Sequence, residues 1–363
     1  MHKKLRLYAI MSLAALSIVS CSSMPEQTLI APDNSHIQYV GRVDLSDGDP
    51  MRITWPGTTI KANFTGTSLS VIFDDDKGKN YFNVFLDNDF ENPIVIQCQK
   101  GRKEYLIADN LLDGNHSVVI AKRTEGHEGG TNFYGLLIDQ DAQLNPPPSR
   151  LSRRIEFYGD SVTSGLGNEA PFDGGDKELA EKNNYMSYAA ITARNLNAEP
   201  SSISSSGIGL MVSWFDWTMT DYYDQLDGTG TNGEKWDFSQ WTPDVVVINI
   251  MQNDSWLVDS QLKPTPTDDQ HTQAYYDFLH SIRSKYPDSY IVATLGNMDI
   301  VKKGSKWPAY VESAVEQYRR NNDDDKIDSF FFEYSGFDKH PRIVHHKAMS
   351  EELTQFLKTK MSW

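Results

Sequence analysis

Cysteine is scarce: 363 residues carry two, Cys21 and Cys98. A disulfide framework is therefore excluded as the basis of the fold. Long hydrophobic runs are also missing. The apolar stretch from Leu7 to Val19 has 13 residues, short of the roughly 20 that span a bilayer. Positive charge is in deficit, with Lys+Arg 34 against Asp+Glu 50 and a net charge of -16. Such a surface repels nucleic acid but not a neutral polymer, and solubility alone accounts for the acidity. The nine histidines fall in no zinc-site spacing. Neither a phosphate-binding loop nor a Gly-rich dinucleotide turn occurs, so the sequence calls for no metal and no cofactor. Asp74-Asp75-Asp76 and Asp323-Asp324-Asp325 do not fit a calcium loop and read as solvated turns. With 39% hydrophobic residues, material for a core is ample, which excludes a disordered chain.

The first residues read as an export signal. Lys3, Lys4 and Arg6 precede the Leu7 to Val19 stretch, and Ile18-Val19-Ser20-Cys21 resembles a bacterial lipobox. Residues 1–20 are expected to be a lipoprotein signal peptide and Cys21 the lipidated residue. The mature protein would be an exported lipoprotein, periplasmic or at the cell surface, touching the membrane only through its anchor. An ordinary cleaved signal with a chance cysteine is the plainer alternative. Residues 21–35 read as a tether. Cys98 ends the apolar run Pro93 to Cys98 and is expected to be a small buried side chain.

Pro146-Pro147-Pro148 divides the rest, since three prolines favour a stiff, extended connector. Over 36–145, short strand-like segments alternate with turn signals. They are Ser68 to Phe73, Tyr81 to Leu86, Pro93 to Cys98, Lys103 to Ala108, Ser117 to Ala121 and Phe133 to Ile138. This half reads as an antiparallel β-sandwich. After a linker at 146–151, residues 152–363 alternate strands with helices. Strands are expected at Arg154 to Tyr158, Val245 to Met251, Tyr290 to Leu295 and Ile327 to Glu333. Helices are expected at Tyr185 to Leu196, Thr272 to Tyr286, Pro308 to Arg320 and His346 to Met361. That alternation implies an α/β domain, a parallel sheet with helices on both faces. Ligands of such folds bind at the carboxyl ends of the strands.

Three of those ends carry reactive groups: Gly159-Asp160-Ser161, Gln252-Asn253-Asp254 and Asp338-Lys339-His340-Pro341. A hydrolase that acylates itself needs a nucleophile, a base, an acid that orients the base, and oxyanion donors. Ser161, His340, Asp338 and Asn253 supply one of each. Any one alone has a plain reading, such as a helix cap or a loop residue. Their order along the chain, each at a strand end, favours chemistry.

Gly159-Asp160-Ser161 with Gly165 resembles the first block of the SGNH (GDSL-type) hydrolases. Ser206-Gly207 resembles the second, Asn253-Asp254 the third, and Asp338 with His340 and Pro341 the fifth. Trp55-Pro56-Gly57, Lys122-Arg123-Thr124-Glu125, Arg154-Ile155-Glu156-Phe157 and Gly165-Leu166-Gly167-Asn168-Glu169 are similar to carbohydrate esterase family 2. So are Trp236-Asp237-Phe238, Trp241, Pro243-Asp244 and Trp363. The resemblance spans about 36–363. It implies a jelly roll followed by a flavodoxin-like, three-layer SGNH domain. It also implies removal of acetyl groups from xylan or other plant polysaccharides, or from their oligosaccharides, by a chain that is a monomer. Ser161 would be the nucleophile, His340 the base and Asp338 the acid. The oxyanion donors would be the N–H groups of Ser161 and Gly207 and the Asn253 side chain. Two departures stand out. Met251 occupies the usual glycine position of the third block, where it could narrow the acyl pocket or shift the backbone. One residue rather than two separates Asp338 from His340, and some family members use a backbone carbonyl in place of the acid. Trp214, Trp256 and Trp307 follow strand ends and could stack on a sugar ring, although rim or core packing would also explain them. His345-His346 is expected at the surface. An esterase for another acyl group and a binding lipoprotein of weakened activity remain the alternatives.

Overall fold

The computed structural model describes residues 26–45 and 50–363. Cys21 and the signal-like segment lie outside the described residues. The first half forms two packed antiparallel sheets of the jelly-roll type. One runs Gln27–Ile30, Thr131–Asp139, Leu69–Asp75, Gly101–Ala108, with Met51–Ile53 added beside Thr131–Asp139. The other runs Leu144–Asn145, Thr59–Gly66, Gly114–Lys122, Tyr81–Leu86, Ile94–Gln97, with Gln38–Val40 beside Thr59–Gly66. Strict alternation in Thr59–Gly66 turns Ile60, Ala62 and Phe64 inward. Phe73 and Phe82 stack between the sheets at 4.5 Å. Cys98 is buried as a free thiol in this core, as expected.

Two expectations fail here. Gln27–Ile30 lies within the expected tether, yet it pairs with Thr131–Asp139. Its register places Leu29 and Ile30 opposite Leu137 and Leu136, and an apolar partner strand outweighs a polar context. The Asp74-Asp75-Asp76 turn is not simply solvated. Asp75 is buried and accepts from the N–H groups of Lys77, Gly78 and Lys79 and from Asn80 and Thr131.

The second half holds a five-stranded parallel sheet in the order Ala198–Ser204, Arg153–Gly159, Val245–Asn249, Tyr290–Leu295, Ile327–Phe331. Every residue of Val245–Asn249 is buried, as a strand covered on both faces requires. Helices Tyr188–Asn195 and Ile343–Met361 pack on one face, and Asp268–Lys285 and Trp307–Asn322 on the other. His346 is fully buried rather than on the surface, because its Nδ1 accepts from the Tyr188 N–H where these first two helices meet. The register aligns the strand ends: Gly159 stands opposite Ser204 and Asn249, and Asn249 opposite Thr294. The loops that follow them therefore open onto one region.

The halves are joined by buried ionic contacts. Arg42 of the sandwich donates to Glu156, and Glu156 also accepts from Tyr158, Tyr286 and Ser201. The Trp55 indole donates to the Leu226 carbonyl and packs on Tyr222. Arg123 reaches the carbonyls of Ala180 and Lys182 and the Glu169 carboxylate. Several of the family-like stretches thus build the domain interface rather than the chemistry.

Candidate active site

Strand Arg153–Gly159 ends on Gly159. A side chain there would strike Thr163 and the Asn249 carbonyl, so only glycine lets the chain turn at once. Asp160 then caps the short helix Ser161–Ser164 by accepting from the Val162 N–H. Ser161 is the first helical residue, with its hydroxyl turned to His340. The His340 Nε2 to Ser161 Oγ distance is 2.9 Å. The opposite nitrogen, Nδ1, lies 3.0 Å from a carboxylate oxygen of Asp176. A carboxylate can only accept, so Nδ1 carries the proton and Nε2 is left as the acceptor for the Ser161 hydroxyl.

The orienting acid is therefore Asp176 and not Asp338. Asp338 is exposed, and its carboxylate accepts from the Tyr334 hydroxyl at 2.9 Å. The neighbouring side chains explain the exchange. Lys339 donates to the carbonyls of Phe172, Asp173 and Gly174. Arg342 donates to Asp176, to the carbonyls of Gly167, Pro171 and Gly174, and to that of His340. These two cations draw the 171–176 loop against His340. Burial alone would raise the Asp176 carboxyl. The hydrogen bonds and charges of His340 and Arg342 outweigh it and hold Asp176 at about 2. Asp176 therefore stays ionised wherever His340 can act as a base. Sequence reasoning missed it because the loop offers several acids and no period. The signal available was Arg342, a cation two residues past the base whose guanidinium calls for several acceptors.

The second block follows strand Ala198–Ser204. Gly207 has a φ of 86°, and a side chain on it would crowd Trp214 and Phe215. Asp254 fixes the next turn by accepting from the N–H groups of Leu210, Met211 and Val212. Burial still raises its carboxyl despite those three donors. Glu125, reaching across from the sandwich, accepts from the Ser206 N–H at 2.6 Å. Burial would raise Glu125, but Lys182 overrides this and holds it at about 2. No hydrogen bond among the described residues occupies the N–H of Ser161 or Gly207. Asn253 uses one amide hydrogen on the Ile208 carbonyl at 2.7 Å, leaving a second donor.

Met251 does not shift the backbone out of place. It takes a φ of 92°, the conformation a glycine would adopt, and caps helix Gln252–Gln261. Its side chain is buried in the core cluster with Tyr275 and Leu295. Trp214 is 61% exposed, rests on Gly207, and donates to Asn253 Oδ1 at 3.0 Å. Trp256 is 39% exposed and donates to Asp299. Trp307 instead packs with His271 and Tyr310, and no contact ties it to Ser161 or His340. No group of three or more His, Cys, Asp or Glu among the described residues could hold a metal ion.

This serine–histidine–aspartate geometry stands at the ends of a parallel sheet behind a sandwich that matches a known domain. Residues 39–148 match the carbohydrate esterase 2 N-terminal family. A family two carbohydrate esterase from Clostridium thermocellum, solved in complex with cellohexaose, is 33% identical. The match covers 90% of this chain and 99% of that one, with a TM-score of 0.80. The chain belongs to carbohydrate esterase family 2. It is 34% identical over 91% of its length to the cellulase/esterase CelE of Acetivibrio thermocellus, and spans 40% of that protein's length. It is 27% identical to an acetylxylan esterase / glucomannan deacetylase of Cellvibrio japonicus, over 94% of both chains. As a family member it is a carboxylic ester hydrolase with an SGNH-type domain.

Proposed function

We propose that the chain removes O-acetyl groups from plant cell-wall polysaccharides or their oligosaccharides, such as xylan or another hemicellulose, through an acetyl-enzyme on Ser161. The observation that carries this is the Ser161–His340–Asp176 chain of hydrogen bonds beside two exposed tryptophans. His340 Nε2 takes the hydroxyl proton as Ser161 Oγ attacks the acetyl carbonyl. The N–H groups of Ser161 and Gly207 and the free Asn253 amide hydrogen receive the oxyanion. His340 returns the proton to the departing sugar oxygen. Water then attacks the acetyl-enzyme, His340 takes its proton, and acetate leaves as the proton passes back to Ser161. Asp176 holds the imidazole in the tautomer both steps need. Trp214 and Trp256 are the surfaces on which a sugar ring can stack.

The test is acetate release from a panel of acetylated glycans, compared with a small aryl acetate. Hydrolysis of the glycans at higher kcat/KM than the aryl ester supports the reading. Preference for long acyl esters would favour an esterase of another class.

The lipobox-like Ile18 to Cys21 supports a second proposal, that the mature protein is anchored through lipid on Cys21. Among the described residues, no helix is long and apolar enough to cross a membrane. The protein should move from the membrane to the soluble fraction in Cys21→Ala. A variant that stays in the membrane pellet contradicts the anchor.

A further inference from the structure

A cavity of about 480 Å³ lies alongside helix Gln252–Gln261. Asn253 sits in the first turn of this helix. Ser255, Val258 and Asp259, at the i, i+3 and i+4 spacing of one helical face, line the cavity. From Asn253 to Asp259 the helix rises about 9 Å, the order of a disaccharide's length. Between the two regions stands Asp299, which accepts from both Gln252 and Trp256 and also lines the cavity.

The lining has the chemistry of a neutral, hydroxyl-rich ligand. Trp307, His271 and Tyr310 form an aromatic wall, with His271 stacked on Tyr310 at 4.9 Å and edge-on to Trp307 at 4.9 Å. His271 is only 5% exposed. Its Nδ1 lies 2.7 Å from the Thr267 carbonyl and must carry the proton. Nε2 is then a buried acceptor, and it has no partner among the described residues. Buried polar atoms are normally satisfied, so this unpaired acceptor asks for a donor from outside the chain. Asp259 and Asp299 add further acceptors, and Lys306, the one lysine or arginine of the lining among the described residues, is paired with Asp268. That balance repels an anion, while sugar hydroxyls supply the missing donors.

We propose that this cavity is a remote glycan subsite that grips the polymer away from its acetylated unit while Ser161 works on the ester. The proposal deepens the esterase reading and rests on it. Its test compares the parent with Trp307→Ala and with Asp259→Ala, an exposed position whose change leaves the core intact. Substrates are an acetylated manno- or xylo-oligosaccharide series from two to six units, and an aryl acetate. In the parent, kcat/KM rises with chain length. In both variants KM for the hexamer rises about 3-fold to 10-fold, the scale of one lost aromatic contact in Trp307→Ala and of one lost hydrogen bond in Asp259→Ala, while dimer and aryl acetate hydrolysis are unchanged. An equal hexamer-to-dimer ratio in parent and variants overturns the subsite. Calorimetric binding of the unacetylated hexamer separates the two readings. If the parent cleaves no ester but binds the hexamer, and Asp259→Ala weakens that binding, the esterase reading fails and the subsite stands. If neither variant changes hexamer binding, the subsite fails alone.

Discussion

At the residue scale the decisive contact is Asp176 on His340. Asp176→Asn keeps the shape but lets the imidazole settle in the wrong tautomer. Its kcat should fall by about 10²-fold to 10⁴-fold. Asp338→Asn, at the exposed residue that bonds Tyr334, should leave kcat within about 2-fold. Michaelis kinetics on an aryl acetate measure both, and the reverse pattern would restore Asp338. Met251 is also decided here. Replacing it with glycine relieves a left-handed backbone, a gain of about 1–2 kcal/mol. It also removes a buried side chain, a loss of about 2–5 kcal/mol. The loss is larger, so Met251→Gly should lower the denaturation midpoint. Because the side chain packs in the core, the ratio of butyryl to acetyl kcat/KM should stay at the parent's value. A raised ratio would mean that Met251 does bound the acyl pocket. Asp160 gives a pH signature. Burial lifts its carboxyl from 3.8 to about 7, and among the described residues the Val162 N–H is the one donor to it from another residue. A folded value above the unfolded one contributes stability in full below about pH 4 and loses it as pH rises through about 7. In Asp160→Asn, urea midpoints should therefore fall less than the parent's between those two pH values. Parallel curves would refute the raised carboxyl.

At the scale of elements, the sequence reading succeeds where periodicity is strong and fails where polar residues do structural work. Val245–Asn249 and Tyr290–Leu295 are apolar runs buried on both faces, and their pattern alone identifies them. Strand Ala198–Ser204 was not foreseen, because its sequence AEPSSIS is polar and contains proline. It is an edge strand of the sheet, where proline is tolerated. Its serines are buried by hydrogen bonds such as Ser201 to Glu156. Helix Gln252–Gln261 was hidden for a similar reason, since its first turn holds Asn253 and Asp254 against the second block. Of the candidate site, the blocks that hold Ser161, His340, Gly207 and Asn253 were legible at strand ends. Asp176 was not, because a loop held by Arg342 and Lys339 has no sequence period to betray it.

On the scale of the whole molecule, the sandwich is part of the site. Glu125 crosses the interface to fix the Ser206 peptide, one residue before a proposed oxyanion donor, and Lys182 balances its charge. Glu125→Gln should cost only about 1–3 kcal/mol, because Lys182 keeps Glu128 as a partner while the charged acceptor of the Ser206 N–H is lost, and should lower kcat more than it raises KM. An unchanged kcat would reduce Glu125 to an interface residue. The proposed role of the whole molecule is that of a serine esterase for acetylated glycans working through Ser161. The most direct measurement is acetate release from acetylated xylan or glucomannan by the parent and by Ser161→Ala, with matched circular dichroism. Release by the parent and a fall of about 10³-fold or more in the variant are expected. More than a tenth of the parent's rate in Ser161→Ala would contradict that role.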